Sequence, residues 1–511
     1  MKNANLALIL VILCFFLFAF SSTKADPDLW GHLKFGQDIF SSLSVPRYDT
    51  YSYSSFGAPW INHEWLSELI LYIIFKLAKS LGLVIFKLFS ALSIASFIYI
   101  SLSKNTKSVY LKLILMILCF SILWSGFAIR PQIFTFLLFT LLIFLLDRFE
   151  NTADTRWIYC LPAIFLLWPN LHGGFITGVG FLLLYDVFKI CERKFTPAPI
   201  GISVGSPQLV RGFPHGLIGI TLLSLLATLV NPYGIGFYSF TIRAITMPRP
   251  LITEWQMVPL GLEYVNYFAL CAIAALGFLF SKRRRSYFEA SAILIAVYFS
   301  FIHKRHIVLL VILVLMYIPK YIDSFSGKWL ARAENRYSQR VFIPIFAALS
   351  LYFLLAAFYS GNRLFTLVIP SQFPVNAVTF IKQNNISGNI FSNFNWAQMC
   401  IGELSPGSKV FIDGRYETVY SDSLIQGYCD VVFGKKDYKD FLAGFPETDI
   451  MFLQKGEVLA ESLSKDSEWA KVYSSTVAQI FLKNNRHNKT ALLNFKNHRL
   501  NYPAEKGAYI F

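Results

Sequence analysis

The chain has 511 residues, of which 55% are hydrophobic and only 15% are charged. Soluble domains carry about 25% charged residues, so this composition excludes an ordinary soluble protein. The net charge is +16 at pH 7. The basic residues lie in short clusters between apolar runs, which indicates membrane topology and excludes a nucleic-acid-binding surface.

Two parts of the sequence differ in composition. The first 360 residues contain repeated runs of roughly 15 to 20 residues with few charges, the length that crosses a bilayer. Residues 361–511 contain 16 Lys/Arg and 14 Asp/Glu, as expected for a soluble α/β domain. The sequence therefore predicts a mainly α, polytopic membrane protein, with a transmembrane domain over residues 1–360 and a C-terminal α/β domain over residues 361–511.

Short polar segments separate the apolar runs of the first part. The first run, residues 6–20, is either a cleaved signal peptide or a retained span. A retained span is favoured because the polar and aromatic loop 23–82 then has a membrane anchor on both sides. Segment 62–81 carries several charges and is expected to lie in the interface as an amphipathic helix. About eleven spans remain, near residues 6–22, 83–103, 113–129, 131–147, 157–170, 174–190, 216–231, 264–281, 286–302, 306–319 and 342–360.

The basic clusters decide the orientation of these spans, because loops rich in Lys and Arg face the cytoplasm. The rule places the N-terminus and the basic cluster at residues 282–285 inside, and the C-terminal domain outside. The same count brings the unusual polar groups to the outer face, which predicts a single site there. These groups are Asp26 to Asp28, Asn62 to Glu64, Arg130 to Gln132, Asn170 to His172, Asn231 to Tyr233, Glu254 with Trp255, and His303 to His306.

An acidic motif, Asp26-Pro27-Asp28, follows the first apolar run directly. Pro27 favours the start of a helix over residues 28–40, so Asp28 is expected either to cap that helix or to act chemically. Two carboxylates at this spacing suit a general base or a divalent cation, with His32 one turn further along. Both interpretations are compatible.

Further polar side chains lie at the ends of later apolar runs. His63 and Glu64, between Trp60 and Trp65, belong either to an interfacial belt or to a metal or proton-relay site. His172, before a Gly pair, either closes a tight turn or bonds a phosphate or sugar hydroxyl. Three cations at the outer boundary either extend towards water or bind an anionic lipid phosphate, for which Arg305 is the first choice: Arg130, Lys304 and Arg305.

The C-terminal part alternates helix-like and strand-like segments. Asp413-Gly414-Arg415 follows a predicted strand and forms either a structural ion pair or a ligand contact at the strand's carboxyl end. Cys400 and Cys429 are able to pair if this part faces an oxidising compartment. Helices are predicted at 375–383 and 439–443, and strands at 388–394, 409–413, 449–454 and 477–483.

Five segments have to be considered together: Asp26 to His32, Pro46 to Tyr53, Ala58 to Leu66, Asn170 to Gly174, and Phe411 to Arg415. They resemble a family of bacterial multi-spanning proteins that is grouped with the GT-C glycosyltransferases. The resemblance implies a sugar on a polyprenyl phosphate as donor, transfer on the outer face of the cytoplasmic membrane, and a first external loop with juxtamembrane helices. The relatives carry two adjacent acids, whereas Leu29 stands at the second position here, so His63 and Glu64 are candidates for the missing function.

These features together predict a membrane glycosyltransferase. Asp28 is the leading general base and Asp26 its alternate, while Arg305, Lys304, Arg130 and His172 neutralise the donor phosphate. A bound Mg²⁺ or Mn²⁺ has Asp26, Asp28 and His32 as its candidate ligands. The acceptor, whether glycan, lipid or protein, stays open. The competing hypotheses are a non-enzymatic lipid-glycan transporter, an assembly scaffold, and a glycan polymerase or ligase. The transferase hypothesis requires the acids and the cationic turn near residue 305 to share one pocket.

Overall fold

A computed structural model of the chain describes residues 2–21, 23–195, 213–336, 338–359, 365–504, 507 and 509–511. The described residues are mostly helical, and the last third adds a small sheet region. The predicted fold class is therefore confirmed in its main outline, a long helical part and a mixed C-terminal part.

Each predicted span coincides with a helix of the first part, whereas the helices Gly236–Thr246 and Pro319–Arg336 were not predicted. In chain order, with the one short strand among them, the elements are α1 (Lys2–Ser21), β1 (Thr23–Lys24), α2 (Leu29–Ser42), α3 (Trp65–Asn105), α4 (Val109–Ser125), α5 (Gln132–Thr152), α6 (Leu161–Leu171), α7 (Phe175–Phe195), α8 (Phe213–Ala227), α9 (Gly236–Thr246), α10 (Val265–Phe280), α11 (Tyr287–Ile302), α12 (Ile307–Tyr317), α13 (Pro319–Arg336) and α14 (Ser338–Tyr359).

Length and hydropathy together qualify few of these helices as membrane spans. Among the described residues, Trp65–Asn105, Gln132–Thr152 and Leu262–Phe280 are long and apolar enough, and the pair Lys304–Tyr317 and Pro319–Arg332, bent by 49°, qualifies jointly. Other apolar helices are shorter, at 10–17 residues. The count of about eleven crossings therefore stays a prediction, although each predicted span lies on a helix.

Helix α3 contains a break that the sequence analysis expects close by. Ala78 (φ −136°, ψ 15°) and Lys79 (φ 51°, ψ −145°) are not helical, so a first segment ends just before the predicted span at 83–103. The Ser80 hydroxyl accepts a 2.5 Å hydrogen bond from the Thr366 backbone N–H, and this bond fixes the chain next to the break. A left-handed φ at a lysine costs of the order of 1 kcal/mol.

The chain divides into two compact units. We call Met1–Ser22, Val84–Ile235 and Ile252–Leu364 the helical unit, and Thr23–Leu83, Gly236–Leu251 and Phe365–Phe511 the α/β unit. The predicted boundary between residues 360 and 361 lies outside the described residues. The α/β unit also contains residues 23–83 and 236–251, which the sequence analysis assigns to the first part of the chain.

The core of the helical unit is formed around α12, a helix without a charged side chain whose residues from Val308 to Tyr317 are all buried. It packs against α4, α5, α10, α11 and α13. A helix that is apolar all round is stable only when neighbours cover every face. The first helix packs along the last, with the Phe15 and Phe353 rings 5.1 Å apart.

Ion pairs join several helix ends at one end of the helical unit. They connect the C-terminal ends of α3, α5 and α7, and this agrees with the predicted alternation, in which these helices run in the same direction. The pairs are Lys104 to Asp147 at 3.4 Å and Lys189 to Glu150 at 2.6 Å.

The last third of the chain supplies most elements of the α/β unit. They are β2 (Thr366–Val368), α15 (Val375–Gln383), β3 (Gly388–Ser392), α16 (Ala397–Leu404), β4 (Ser408–Val410), α17 (Asp422–Val432), α18 (Tyr438–Leu442), β5 (Thr448–Gln454), α19 (Val458–Leu463), β6 (Trp469–Ser474), β7 (Ala478–Lys483), α20 (Lys489–Lys496) and β8 (Tyr509–Ile510). The predicted helices and strands of this part are confirmed to within a few residues.

The five-stranded sheet has the order β4-β3-β5-β7-β6. Strands β3, β4 and β5 are parallel, and β7 runs antiparallel to both β5 and β6. A second sheet joins β1, β2 and β8, with Thr23 opposite Thr366 and Leu367 opposite Ile510. Residues 23 and 24 are thus built into the same unit as the C-terminal residues. Cys400 and Cys429 are both buried and free, so the pairing considered from sequence is not formed.

Candidate functional site

The acidic motif lies near the start of Thr23–Leu83, the first segment of the α/β unit. Asp26 is buried, and its Oδ1 accepts a 3.0 Å hydrogen bond from the Asp28 backbone N–H. Asp28 occupies the N-cap position of α2, but its side chain makes no capping hydrogen bond. Asp28 thus occupies the predicted position at the start of the helix, while Asp26 supplies the side-chain bond to the backbone at this turn. The role of Asp28 as a base stays a prediction.

Asp28 lies against the loop that follows β4. A Cβ placed on Gly414 would come within 2.4 Å of Asp28 Oδ1 and 2.6 Å of Gln398 Nε2. A Cβ on Gly31 would come within 1.9 Å of Gln398 Oε1. Gln398 itself is 4% exposed. The acidic motif therefore packs at the carboxyl end of a parallel strand, where α/β domains commonly hold ligands, and both glycines are needed for the close approach.

His32 meets two carboxylates from the start of α3. His32 Nδ1 is 3.3 Å from Glu68 Oε1 and 4.0 Å from Glu64 Oε2. The Asn62 amide donates a 2.6 Å hydrogen bond to Glu68 Oε2, and His63 Nε2 is 3.6 Å from Glu64 Oε1. We call His32, Glu64 and Glu68 the His-Glu cluster. It joins the first and third of the family-like segments.

Electrostatics within the cluster favour a protonated His32. Burial disfavours the charged ring, but the hydrogen bond to Glu68 and the nearby charges of Glu64, Glu68 and Asp28 outweigh it, so the pKa of His32 rises to about 9. A cation can replace that proton only by competing with it, since a metal ligand must be deprotonated.

The donor set of the His-Glu cluster fits one divalent ion. One ligand atom from each of the three residues lies within 4.8 Å of the others. An imidazole nitrogen with two carboxylates suits Mn²⁺ better than Mg²⁺, which prefers oxygen ligands alone. Within the described residues this is the group that satisfies the geometry; Asp26 and Asp28, proposed from sequence, are not part of it. Glu68 was missed as a ligand, although its i+4 spacing from Glu64 on one helix face is visible in the sequence.

A second buried cluster surrounds Arg415. Its Nη1 donates to Asp49 Oδ1 at 2.6 Å and its Nη2 to Asp413 Oδ2 at 2.7 Å, and the Tyr420 hydroxyl donates to Asp413 Oδ2 at 2.5 Å. The guanidinium also lies 4.8 Å from the centre of the Trp60 ring. The interpretation of Asp413 and Arg415 as a structural ion pair is confirmed, and its additional partner Asp49 belongs to the second family-like segment.

In the helical unit, Arg130 and Arg305 share one carboxylate. Arg130 Nη1 is 3.2 Å from Glu254 Oε2, and Arg305 Nη1 is 4.0 Å from Glu254 Oε1. The Arg305 guanidinium also lies 4.6 Å from the centre of the Trp255 ring. Lys304 Nζ stands 5.7 Å from the centre of the Tyr264 ring. The structure thus brings together the cations at 130 and 305 that the sequence analysis selects.

His172 lies beside the first turn of α5, which begins next to Arg130. Its Nδ1 accepts a 2.9 Å hydrogen bond from the Gly174 backbone N–H and lies 2.8 Å from the Thr135 hydroxyl. Trp168 Nε1 donates to the same hydroxyl at 2.9 Å. These contacts match the tight-turn interpretation of His172. A ligand contact from this residue would run through Nε2.

One buried cation was missed from sequence. Lys87, in α3, is 3% exposed, within an otherwise apolar stretch. A lysine held inside an apolar bundle is costly and usually marks an ion or anion site.

The sequence analysis also predicts that the acids and the cationic turn share one pocket. The acids belong to the α/β unit and the turn belongs to the helical unit, and because the two units are described separately, this stays a prediction.

The fold is similar to that of solved GT-C glycosyltransferases, and the resemblance seen in the sequence is confirmed at the level of the fold. The chain is similar to ArnT from Cupriavidus metallidurans bound to undecaprenyl phosphate, at 10% identity over 94% of this chain and 98% of that one, with a TM-score of 0.54. The apo state of the same protein is 11% identical over 93% of this chain and 97% of that one, with a TM-score of 0.56. The apo oligosaccharyltransferase of Archaeoglobus fulgidus is 12% identical over 88% of this chain and 69% of that one, with a TM-score of 0.55.

No protein-family model matches the sequence, and no curated protein matches it. The structural likeness at 10 to 12% identity establishes the fold alone.

Proposed function

We propose that the chain is a membrane glycosyltransferase that moves a sugar from a polyprenyl-phosphate donor to a cell-envelope acceptor. The observation that carries the proposal is the likeness over 94% of the chain to a protein bound to undecaprenyl phosphate. Both the helical part and the mixed C-terminal part fall within that similarity. Transfer takes place at the outer face of the cytoplasmic membrane, with the N-terminus inside and residues 361–511 outside.

The chemistry needs a base and positive charge. A sugar on a lipid phosphate already carries its leaving group, so the protein must deprotonate the acceptor and neutralise the departing phosphate. Transfer in a single displacement would invert the anomeric centre.

Asp28 is the base we favour, and Asp26 is the alternate. Asp26 already uses one carboxylate oxygen to hold the turn, which ties it to structure. Asp28 occupies the N-cap position of α2 and lies past the carboxyl end of β4, next to Gly414. Its position in a closely packed environment favours a fixed orientation, as a general base requires.

We assign a divalent cation to the His-Glu cluster rather than to Asp26 and Asp28. His32, Glu64 and Glu68 would hold it, while Asn62 orients Glu68. When bound, the ion supplies positive charge that stabilises phosphate oxygens. His63 beside Glu64 is a further contact to the substrate.

The donor phosphate is assigned to the cations of the helical unit. Arg305 and Arg130 come first because both orient towards one anionic group already, and planar guanidinium groups bind phosphate through paired hydrogen bonds. Lys304 and His172 assist, and Lys87 is added from its burial.

The test is transfer of a radiolabelled sugar from synthetic polyprenyl-phosphate donors by the purified chain in lipid nanodiscs. Product should form with the wild type and fall in Asp28→Asn and Arg305→Gln, while Glu263→Gln, an exposed acid outside these clusters, should behave as wild type. If the wild type transfers the sugar and both site variants transfer it at the same rate, the assigned site is excluded. A wild type that binds no polyprenyl phosphate would contradict the function itself.

A further inference from the structure

We propose that Glu254 is an internal competitor for the donor phosphate. Its carboxylate lies 3.2 Å from one guanidinium and 4.0 Å from another, those of Arg130 and Arg305. Carboxylate and phosphate oxygens accept the same paired hydrogen bonds from arginine. This inference rests on the proposed function, in which those two arginines bind the phosphate.

The placement of Glu254 is built into the fold. It lies in a single 3-10 turn, Thr253–Trp255, and the residues after it are tied to the turn that carries Arg305. Trp255 O accepts a 2.7 Å hydrogen bond from His303 Nδ1, and Gln256 O accepts one of 3.2 Å from the Lys304 backbone N–H. The loop therefore presents the acid and the basic turn together.

Charge and exposure make the contact reversible. The side chains of Arg130, Arg305 and Glu254 are 23%, 19% and 32% exposed, so water reaches the pair and the pair is weak. Two guanidinium groups with one carboxylate leave a net positive charge, which still attracts an anion. The donor is a phosphodiester with one charge and competes with Glu254 on similar terms, whereas the polyprenyl phosphate released by transfer is a monoester with up to two charges and displaces the singly charged carboxylate more readily. Glu254 returns to the arginines when that lipid phosphate leaves.

The consequence is a residue that lowers the affinity for the lipid phosphate and speeds its release. Removal of its charge should tighten binding of undecaprenyl phosphate by roughly two- to fivefold, the factor expected for an exposed ion pair. It should not change binding of undecaprenol, which has the same chain without the phosphate.

The experiment measures the affinity of purified full-length protein in nanodiscs for fluorescent undecaprenyl phosphate and for fluorescent undecaprenol. The variants are Glu254→Gln and, as a second uncharged side chain, Glu254→Ala, with Glu263→Gln as the matched control from the same loop. Tighter phosphate binding in either Glu254 variant, with unchanged undecaprenol binding, supports the proposal.

If the wild type binds undecaprenyl phosphate and the folded Glu254 variants bind it with equal or weaker affinity, this inference alone is overturned. Absence of phosphate binding in the wild type and in every variant overturns the proposed function as well. Tightening that extends equally to undecaprenol also contradicts the inference, because a competitor for phosphate cannot act on the uncharged lipid.

Discussion

Arg415 donates a 2.6 Å hydrogen bond to the carboxylate of Asp49, which stands 366 positions earlier in the chain. Both side chains are almost fully buried, and Asp413 completes the cluster. A buried ion pair adds little net stability when intact, but loss of one partner leaves the other charged and unsolvated. The bond therefore enforces one arrangement of the N-terminal loop on the C-terminal residues.

Replacement of Arg415 by leucine should destabilise the α/β unit strongly, because the buried carboxylates of Asp49 and Asp413 both lose the guanidinium to which they are bonded. We expect a loss of about 3 to 5 kcal/mol in its unfolding free energy, seen as a lower thermal midpoint and faster proteolysis between residues 23 and 83. Arg486→Ala, at an exposed arginine of the same unit, should leave both unchanged. A midpoint for Arg415→Leu equal to that of Arg486→Ala would contradict the structural role.

The two acids of the first motif should respond differently to amide substitution. Asp28→Asn removes the proposed base, so transfer should fall by about 10²- to 10⁴-fold with donor binding retained. Asp26→Asn keeps an oxygen that accepts the Asp28 N–H, so its loss should stay within about tenfold. Single-turnover rates measure both. Equal losses, or a larger loss in Asp26→Asn, would reverse the assignment of the base.

Gly414 should tolerate no side chain. The Cβ of Gly414→Ala would meet Asp28 Oδ1 at 2.4 Å, and the displaced carboxylate should lower the transfer rate by about tenfold or more, because small misplacements of a reacting group are costly. Gly407→Ala is the matched control, since the nearest atom to its Cβ would be 3.5 Å away. The rate and the donor affinity are measured together; a change confined to affinity would count against a role in orienting Asp28.

The His-Glu cluster should bind Mn²⁺ through Glu68. Glu68→Gln removes one charged ligand, and Mn²⁺ affinity measured by electron paramagnetic resonance should weaken by at least about tenfold. Glu461→Gln changes an exposed glutamate of the same unit and should bind as the wild type does. Identical Mn²⁺ spectra for wild type and Glu68→Gln at every concentration would remove the cluster as a metal site.

Much of the fold could be predicted from sequence because long apolar helices have a clear hydrophobic pattern. Uninterrupted runs such as that of α12 can only be buried helix, and the charged stretch before residue 83 correctly indicates a break, found at Ala78 and Lys79. The strands from 388 to 483 follow from short β-branched and aromatic runs bounded by turns. Strands β2, β6 and β8 and helices α16, α17, α19 and α20 were not predicted, since their short mixed sequences carry no clear period.

The candidate site was harder to predict because the residues that contact one another in it are far apart in sequence. Of the residues selected from sequence, His32 and Glu64 lie 4.0 Å apart in the structure. Glu68 looked like one charge of an amphipathic face, and Asp49 was given no contact of its own. Spacing along one element predicts local pairs, whereas contacts such as Asp49 to Arg415 depend on tertiary folding.

The pairing of Thr23 with Thr366 and of Asp49 with Arg415 imposes an order on biosynthesis. Ribosomes add about 5 to 20 residues per second, so Asp49 emerges roughly 20 to 70 seconds before its partner is made. Over that interval the first loop has none of these long-range contacts, and a translation stop anywhere before residue 366 leaves strand β1 without its neighbour. Folding of the segment that carries the acidic motif therefore has to wait until residues 366 to 415 have been synthesised.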